Sequence, residues 1–181
     1  MTSIRATKKG RAGAETFPVF EIQPLRKAHE REEFDCGNDD LNRYLKRSAR
    51  QNQDKDVGRT YVAVEEGHLR VSGYYTLSSA SIEFSEYPEG VSLPRYPIPA
   101  ILLARIAVDK RLQGQGILGP DLLIHALKAA QRAADSIAAV AVITEAKNER
   151  VQRFYERYGF MRLKKEGRHL YLPMKQIRKL P

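Results

Sequence analysis

The sequence predicts one α/β domain, in which helices pack against a mixed β-sheet. Strand-like apolar runs recur along the chain, helical segments alternate with them in the second half, and a glycine-rich loop joins a strand to a helix within residues 106–123. No internal repeat or linker divides the 181 residues, a length that suits a single core. We therefore expect a domain over residues 18–181, preceded by a basic tail at residues 1–17 that is predicted to be disordered.

The first predicted helix follows Asn38, a suitable N-cap, and two acidic residues favour its first turn. Side chains at offsets of 0, 3, 4 and 7 share one helical face, which gives a basic stripe of Arg43, Lys46, Arg47 and Arg50. The opposite face is apolar and should pack on the core through Leu41, Tyr44, Leu45 and Ala49. Such a stripe could follow a sugar-phosphate backbone, although a merely soluble helix has the same pattern.

Strands and helices alternate over the remainder of the chain. Residues 59–65 and 69–77 predict a hairpin whose second strand can continue through residues 81–84, and four prolines predict a loop over residues 86–100. Further strands are expected at 102–108, 138–144, 160–164 and 169–173. Helices are expected at 121–134, with Pro120 at its first position, and at 148–158, where Gly159 favours termination.

The glycine-rich loop is the clearest functional signal. Gly114, Gly116 and Gly119 leave backbone N–H groups free to face an anion, and the next helix adds the positive end of its dipole. The loop therefore predicts a phosphate-bearing ligand. The same glycines satisfy the dinucleotide pattern G-x-G-x-x-G, but five residues separate Val108 from Gly114, and too little chain follows for that fold. A Walker loop is excluded because no Lys-Ser or Lys-Thr follows.

Charge and composition limit the partners. The net charge of +9 is concentrated at the ends, since residues 1–20 carry 4 basic and 1 acidic side chains and residues 150–181 carry 10 and 2. This predicts attraction to polyanions, although a solvated basic surface gives the same count. One cysteine and four scattered histidines predict neither a disulfide nor a metal site, and no apolar run is long enough to span a membrane. A reducing cytoplasm is the expected location.

Three motifs resemble the GNAT superfamily of acetyl-CoA-dependent N-acetyltransferases. The loop Gln113-Gly114-Gln115-Gly116-Ile117-Leu118 is similar to its motif A, although Leu118 stands where the family has Gly or Ala and the next residues fit an insertion of one residue before Pro120. Asn148 to Phe160 resembles its motif B helix. The N-terminal half, with Phe34-Asp-Cys36-Gly37, Leu41-Asn42-x-Tyr44-Leu45 and Gly73-Tyr74-Tyr75-x-Leu77, is similar to the toxins of toxin-antitoxin pairs that acetylate aminoacyl-tRNA.

The resemblance implies a GNAT fold, a mixed and mostly antiparallel sheet that splays between two central parallel strands. It implies acetyl-CoA as the acetyl donor, aminoacyl-tRNA as the acceptor and a small ribbon-helix-helix antitoxin as the partner, with a homodimer left open. The basic helix and Arg95 are the candidate tRNA contacts. The candidate contacts for coenzyme A are Ile106, Ala107, Val108, Gln113, Gly114, Gln115, Gly116, Ile117, Leu118, Gly119, Asn148 and Phe154.

Tyr155 is the candidate catalytic residue by the same resemblance. A tyrosine with an ordinary pKa near 10 stays protonated at neutral pH, so it can protonate a leaving thiolate. No general base is evident, which favours an α-amine acceptor, because its pKa of about 8 leaves a usable neutral fraction. Cys36 is expected to be a packing residue and His125 to be exposed. Arg105 lies in a buried-looking strand and should have a specific partner.

Two alternatives to the tRNA-acetylating enzyme remain open at this point. One is a GNAT enzyme for another amine, either a small molecule or a protein. The other is a non-catalytic nucleic-acid-binding or regulatory protein that keeps the fold without the cofactor.

Overall fold

The computed structural model describes residues 2–4, 18–83, 85, 97–163 and 167–180. Eight strands form a sheet in the order β1-β2-β3-β4-β5-β6-β8-β7. They are β1 Thr2–Ile4, β2 Phe20–Pro24, β3 Arg59–Glu65, β4 Val71–Ile82, β5 Ile98–Val108, β6 Ala141–Glu145, β7 Met161–Arg162 and β8 His169–Pro173. The helices are α1 Asp39–Arg43, α2 Ala49–Asp54, α3 Leu118–Ser136, α4 Glu149–Glu156 and α5 Met174–Ile177, with a π-helical segment Tyr44–Ser48 and a 3₁₀ turn Lys110–Leu112.

The sheet is mixed, as predicted. Strand β5 runs parallel to β6, and Ala100, Ile101 and Leu102 pair with Ala141, Val142 and Ile143. The ladders between β1 and β2, β2 and β3, β6 and β8, and β7 and β8 are antiparallel. The parallel ladder ends at Leu102, whereas β5 itself continues to Val108. None of the described helices is long and apolar enough to cross a membrane.

Contacts divide the chain into two compact units. The first comprises residues 1–76 and 105–125, and the second comprises residues 77–104 and 126–181. The core of the first unit contains Phe34, Tyr44 and Tyr74, whose rings make edge and stacked contacts. The sequence predicted a specific partner for Arg105, and this partner is Tyr44. The guanidinium carbon of Arg105 lies 3.8 Å from the centre of the Tyr44 ring, in a cation-π contact.

The basic helix begins where predicted. Asn38 Oδ1 accepts a hydrogen bond from the backbone N–H of Leu41 at 3.1 Å, which confirms the N-cap. Leu45 and Ala49 are fully buried, in agreement with the predicted apolar face. The π-helical segment changes the spacing of the basic side chains. As a result, Arg43 and Arg47 are exposed, whereas Lys46 and Arg50 are half-buried.

Helix α3 begins at Leu118, three residues before the predicted start. Pro120 is therefore the third helical residue and not the first, which the fold tolerates because the N–H groups of a first turn have no intrahelical acceptor. The helix packs closely on Gly73 of β4. A Cβ atom at Gly73 would lie 3.1 Å from the carbonyl oxygen of Ala107 and 2.8 Å from Leu122 Cδ1, so a larger residue would force its neighbours to shift.

The second unit contains a cluster formed by Ile82, Ile98, Ala100, Ala141, Leu163 and Tyr171. Its helix α4 begins after the cap Asn148, as predicted, but its regular part ends at Glu156, two residues before the predicted end. Asn148 Oδ1 accepts from Val151 N at 2.9 Å, and Gly159 has a φ of +87°. The N–H of Phe160 donates to the carbonyl of Tyr155 at 3.3 Å, and the N–H of Gly159 donates to the carbonyl of Glu156 at 3.0 Å. These two bonds form the Schellman pattern of a helix end.

Several predicted boundaries are wrong. Strand β5 begins at Ile98, inside the predicted loop 86–100, because Pro99 can still accept a hydrogen bond from Val140 N at 2.8 Å although it has no N–H to donate. Strand β6 begins at Ala141 and not at 138. Within the tail predicted to be disordered, Thr2–Ile4 pair with β2. The rest of that tail, and residues 86–96 with Arg95, lie outside the described residues.

Candidate active site

The glycine loop of the first unit has the backbone of an anion site. Gly114 and Gly116 have φ angles of +80° and +70°, and no atom lies within 4 Å of a Cβ built on either one. Among the described residues, no acceptor is bonded to the N–H groups of residues 114–116. Since α3 starts directly afterwards, at Leu118, the positive end of its dipole faces the same place. The loop can therefore hold a phosphate through backbone N–H groups.

The two glutamines of the loop are occupied in shaping it. Gln113 Nε2 donates to the carbonyl oxygens of Cys36 and Val108, both at 2.8 Å. Gln115 Nε2 donates to the carbonyl of Arg111 at 3.2 Å. Both predicted cofactor contacts are exposed, and their side-chain amides are bonded to backbone carbonyls of the protein, which leaves their backbone atoms for a ligand.

A buried carboxylate supports the start of this loop. Asp109 is 1% exposed, and Arg111 contacts it through Nε at 2.7 Å and Nη2 at 2.9 Å. Burial alone would raise the pKa of Asp109, but the hydrogen bonds from Arg111 and from the backbone of Asp35 outweigh it and hold the pKa below its usual value. Asp109 is therefore an ionised residue that fixes the chain between β5 and the glycines.

The segment from Phe34 to Gly37 is the second support. Asp35 accepts from Gly37 N and Asn42 Nδ2, both at 2.9 Å, and its other oxygen lies 2.6 Å from Lys110 Nζ. The Lys110 ammonium, with these two bonds, holds the pKa of Asp35 well below its usual range. Lys110 N also donates to the carbonyl of Asp35 at 2.8 Å. The toxin-like motif around Asp35 thus positions the glycine loop, a role that the sequence did not reveal.

Leu118 has a structural role that explains its departure from the family pattern. Its side chain is 2% exposed and packs near Gly73, so only its backbone remains for a ligand. Gly119 lies in the first turn of α3, where an added Cβ would approach Val108 Cγ2 at 3.9 Å. The first unit thus brings together the strand end 106–108 and the loop 113–119, which contain most of the predicted cofactor contacts.

Tyr155 lies in the second unit, on α4, and is 3% exposed. The rings of Phe154 and Phe160 lie 5.5 and 5.1 Å from its own. Its hydroxyl oxygen lies 3.4 Å from Thr144 Oγ1, which in turn donates to the carbonyl of Leu103 at 2.9 Å. Burial raises the pKa of Tyr155 to about 12, and the hydrogen bond with Thr144 partly opposes this effect. The phenol is therefore fully protonated at neutral pH.

Thr144 is the one polar neighbour that the structure gives to this hydroxyl among the described residues, and the sequence did not single it out. The signal was weak, because a threonine in a buried strand is ordinary. Asn148 and Phe154, two predicted cofactor contacts, belong to the same motif as Tyr155. Asn148 caps α4, and Phe154 is half-buried with its ring 5.3 Å from that of Tyr158.

Two further predictions are decided by burial. His125 is 8% exposed, so the expectation that it is exposed is wrong, and its Nδ1 lies 2.7 Å from the Tyr75 hydroxyl. It is buried because it continues the α3 face of Leu118 and Leu122. Cys36 is half-buried against the core of the first unit, and burial raises the pKa of its thiol, which agrees with a packing residue. The described residues contain no group of side chains that could hold a metal ion.

Comparison with known proteins connects these features. The acetyltransferase (GNAT) domain family matches residues 56–162. A tRNA-acetylating toxin of Mycobacterium tuberculosis is 36% identical over 149 residues, 81% of this chain and 87% of the relative. A probable toxin TacT of Sinorhizobium fredii is 32% identical over 170 residues, 88% of this chain and 93% of the relative.

Solved structures agree. A tyrosine-to-phenylalanine mutant of KacT superposes with a TM-score of 0.83 at 30% identity, covering 90% of this chain and 99% of its own. AtaT complexed with acetyl-methionyl-tRNAfMet superposes with a TM-score of 0.82 at 30% identity, covering 88% of this chain and 97% of its own. A mutant AtaT toxin bound to the C-terminus of the antitoxin AtaR and acetyl-CoA gives 0.75 at 29% identity, with coverage of 88% and 96%. By domain match, identity and fold, this chain belongs to the GNAT family of acetyltransferases.

Proposed function

We propose that this chain transfers the acetyl group of acetyl-CoA to the α-amine of aminoacyl-tRNA, and that it acts as a toxin by removing charged tRNA from translation. One observation carries the proposal. Tyr155 is buried on α4 with a protonated hydroxyl, in a chain that is 36% identical to a tRNA-acetylating toxin. A cytoplasmic location follows from this substrate.

The loop of the first unit suits the diphosphate of coenzyme A. Two glycines in left-handed conformation, backbone N–H groups without acceptors among the described residues and the N-terminus of α3 are the features that bind phosphate oxygens. Residues 106–108 and 113–119 are the proposed contacts there. Asn148 and Phe154 are the proposed contacts in the second unit, where Asn148 also caps the helix.

Tyr155 is the proposed general acid. Acetyl-CoA supplies an activated thioester, so no covalent enzyme intermediate is needed when both substrates are bound side by side. As the C–S bond breaks, the phenol donates its proton to the departing thiolate sulfur, and it is available to do so because its raised pKa keeps it protonated at neutral pH. The proton that the acceptor nitrogen loses as the amide forms returns through water to the phenolate, so the tyrosine ends the cycle unchanged. Thr144 has a single O–H, which it donates to the carbonyl of Leu103, and it can turn this O–H to the phenolate oxygen 3.4 Å away when charge forms there.

The acceptor is proposed to be an α-amine. With a pKa of about 8 such an amine is partly neutral at physiological pH, so it can attack without a protein base. The stripe Arg43, Lys46, Arg47 and Arg50, together with Arg95, is proposed to contact the tRNA backbone. Arg47 is exposed, and Arg43 is exposed with only a long ion pair to Asp40 at 3.7 Å, so both can exchange partners.

A small antitoxin of the ribbon-helix-helix type is the proposed partner, by analogy with the toxin relatives. The test is coexpression. The chain alone should arrest growth, and a neighbouring small gene product should restore growth and copurify with the chain. Growth arrest that persists with every adjacent small protein would remove this part of the proposal.

The activity itself is tested by incubating the purified chain with acetyl-CoA and a full set of aminoacyl-tRNAs, then detecting acetylated aminoacyl-adenosine after nuclease digestion. We expect transfer to one or a few charged tRNAs and none to the deacylated species. Transfer to polyamines or peptides instead would show an enzyme for another amine. No detectable binding of acetyl-CoA at millimolar concentration would show a non-catalytic protein of the same fold.

A further inference from the structure

Helix α4 has an exposed basic surface that the proposed reaction does not use. Arg150, Arg153 and Arg157 are exposed and, with Glu156, line an open depression of the surface. These three arginines are hereafter the arginine face. It lies outside the basic stripe of the first unit and belongs to the second unit alone.

The arginine face is directed away from the catalytic side chain. At about 100° per residue, its three members, the last of which is the C-cap of α4, lie within roughly 60° of one another and opposite Tyr155, which is buried. Along the axis they span about 10 Å at a rise of about 1.5 Å per residue. The row is thus long enough for successive phosphates of a nucleic acid strand, whereas a single phosphate would engage only part of it.

The charge of this face is poorly neutralised. Arg153 has a long ion pair with Glu149 at 3.9 Å, and both side chains are largely exposed. Among the described residues, Arg150 and Arg157 have no ion pair, because Glu156 lies 2.6 Å from Gln152 Nε2 and 3.7 Å from Arg162. Arg168 adds a further positive charge near this face, since it donates to the carbonyl of Lys147, just before α4.

We infer that the arginine face binds the sugar-phosphate backbone of the acceptor tRNA, at a distance from the reacting end. The inference rests on the proposed function, which supplies a polyanionic substrate. Guanidinium groups bind phosphate through paired N–H donors, and exposed arginines without carboxylate partners lose little when they do so. Each phosphate contact displaces counterions, so such binding has a strong dependence on salt.

The test measures binding of deacylated tRNA against salt concentration for wild type and for Arg150→Gln, Arg153→Gln and Arg157→Gln. The matched control is Arg132→Gln, an exposed arginine on α3 without an ion pair among the described residues. We expect each α4 variant to bind tRNA several-fold more weakly and to reduce the slope of log K against log salt by about 1. The control should keep the wild-type slope.

Three outcomes would overturn the inference. Slopes equal to wild type in all three α4 variants would show that the face makes no phosphate contact with tRNA. A raised acetyl-CoA dissociation constant with an unchanged tRNA slope would assign the arginines to the coenzyme. Loss of binding to polyglutamate with unchanged tRNA binding would assign them to an acidic protein. Failure of the proposed function is distinct, because it would appear as absent acetyl transfer by the wild type.

Discussion

The glycine loop and Tyr155 have opposite surroundings, one exposed to solvent and the other buried. The loop is exposed, and its shape is held by the buried carboxylate of Asp109 and by the side-chain amide of Gln113, which belongs to the loop itself. Tyr155 is buried among aromatic rings and has one hydroxyl neighbour, Thr144. A loop that must admit a hydrated anion needs free N–H groups, whereas an acid that must stay protonated needs a dry site.

This difference separates two kinds of defect. Changes to the loop or its polar supports should weaken binding of acetyl-CoA and leave the chemical step intact. Changes at the tyrosine should slow the chemical step and leave binding intact. The following substitutions test whether the two regions can be separated in this way.

The largest effect is expected from Tyr155→Phe, which removes the hydroxyl and keeps the ring contacts. The rate constant for transfer should fall by about 10²- to 10⁴-fold, the usual value of a general acid. Acetyl-CoA affinity, measured by calorimetry, should stay within about twofold because the hydroxyl acts only on the leaving group. A near wild-type rate would remove Tyr155 from the acid role.

Gly116→Ala should have the next largest effect. Alanine at a φ of +70° is strained by about 1–2 kcal/mol, and its methyl group would occupy open space at the proposed phosphate site. Loss of one charge-assisted hydrogen bond, about 1.5–3 kcal/mol, predicts at least a tenfold rise in KM for acetyl-CoA with kcat retained.

The matched control for that substitution is Gly67→Ala. Gly67 has a φ of +80° and equally open surroundings, but it lies in the turn after β3. Both variants should unfold at lower temperature, and only Gly116→Ala should change KM. An equal rise of KM in both would attribute the effect to general instability.

Asp109→Asn is expected to have a moderate effect. Loss of the ion pair with Arg111 at a buried position should lower the free energy of unfolding by about 1–3 kcal/mol and raise KM for acetyl-CoA. Because the folded pKa of Asp109 is depressed, its contribution is present above the ordinary carboxyl pKa and lost as pH falls through the folded value. Wild type should therefore lose more stability than the variant below about pH 4. Parallel acid-unfolding curves would contradict this.

Thr144→Val should have a smaller effect. The change is nearly isosteric and removes the hydroxyl beside Tyr155, so kcat should fall by about fivefold, equivalent to roughly 1 kcal/mol. KM for acetyl-CoA should not change. A combined Thr144→Val, Tyr155→Phe variant should be no slower than Tyr155→Phe alone, because Thr144 acts through the phenol.

The smallest effect is expected at alkaline pH. The rate should rise as the acceptor amine loses its proton near pH 8 and then stay level to about pH 9.5, because Tyr155, with a pKa of about 12, remains protonated. A rate measured in single turnovers that falls between pH 8.5 and 9.5 would indicate an acid with a much lower pKa.

Local signals explain what the sequence could predict. The glycines of the loop, the caps Asn38 and Asn148, and the helix end at Gly159 are set by residues within a few positions of one another, and the structure has each of them. The alternation of strands and helices predicted the mixed sheet, and the resemblance to the GNAT superfamily implied its parallel pair. The prolines misled the prediction at both β5 and α3, because proline excludes only an N–H donor and neither element needed one there.

Contacts between distant parts of the chain explain what was missed. Asp35 and Asp109 are 74 positions apart, and Leu103 and Thr144 are 41 apart, so no window of sequence shows either pair. The burial of His125 depends on the packing of α3 against β4, which no local pattern in the sequence shows, so the sequence predicted an exposed residue. The supports of the loop are therefore visible only in the structure, although the loop itself is visible in the sequence.

The bond from Gln113 to the carbonyl of Cys36 has a consequence for the kinetics of ligand capture. This bond fixes the glycine loop before acetyl-CoA arrives. The conformational entropy of ordering the loop backbone is therefore lost during folding and not during binding. Association with acetyl-CoA should then be a single fast step without a slow isomerisation. Gln113→Ala should loosen the glycine loop and convert that step into one in which ordering follows encounter.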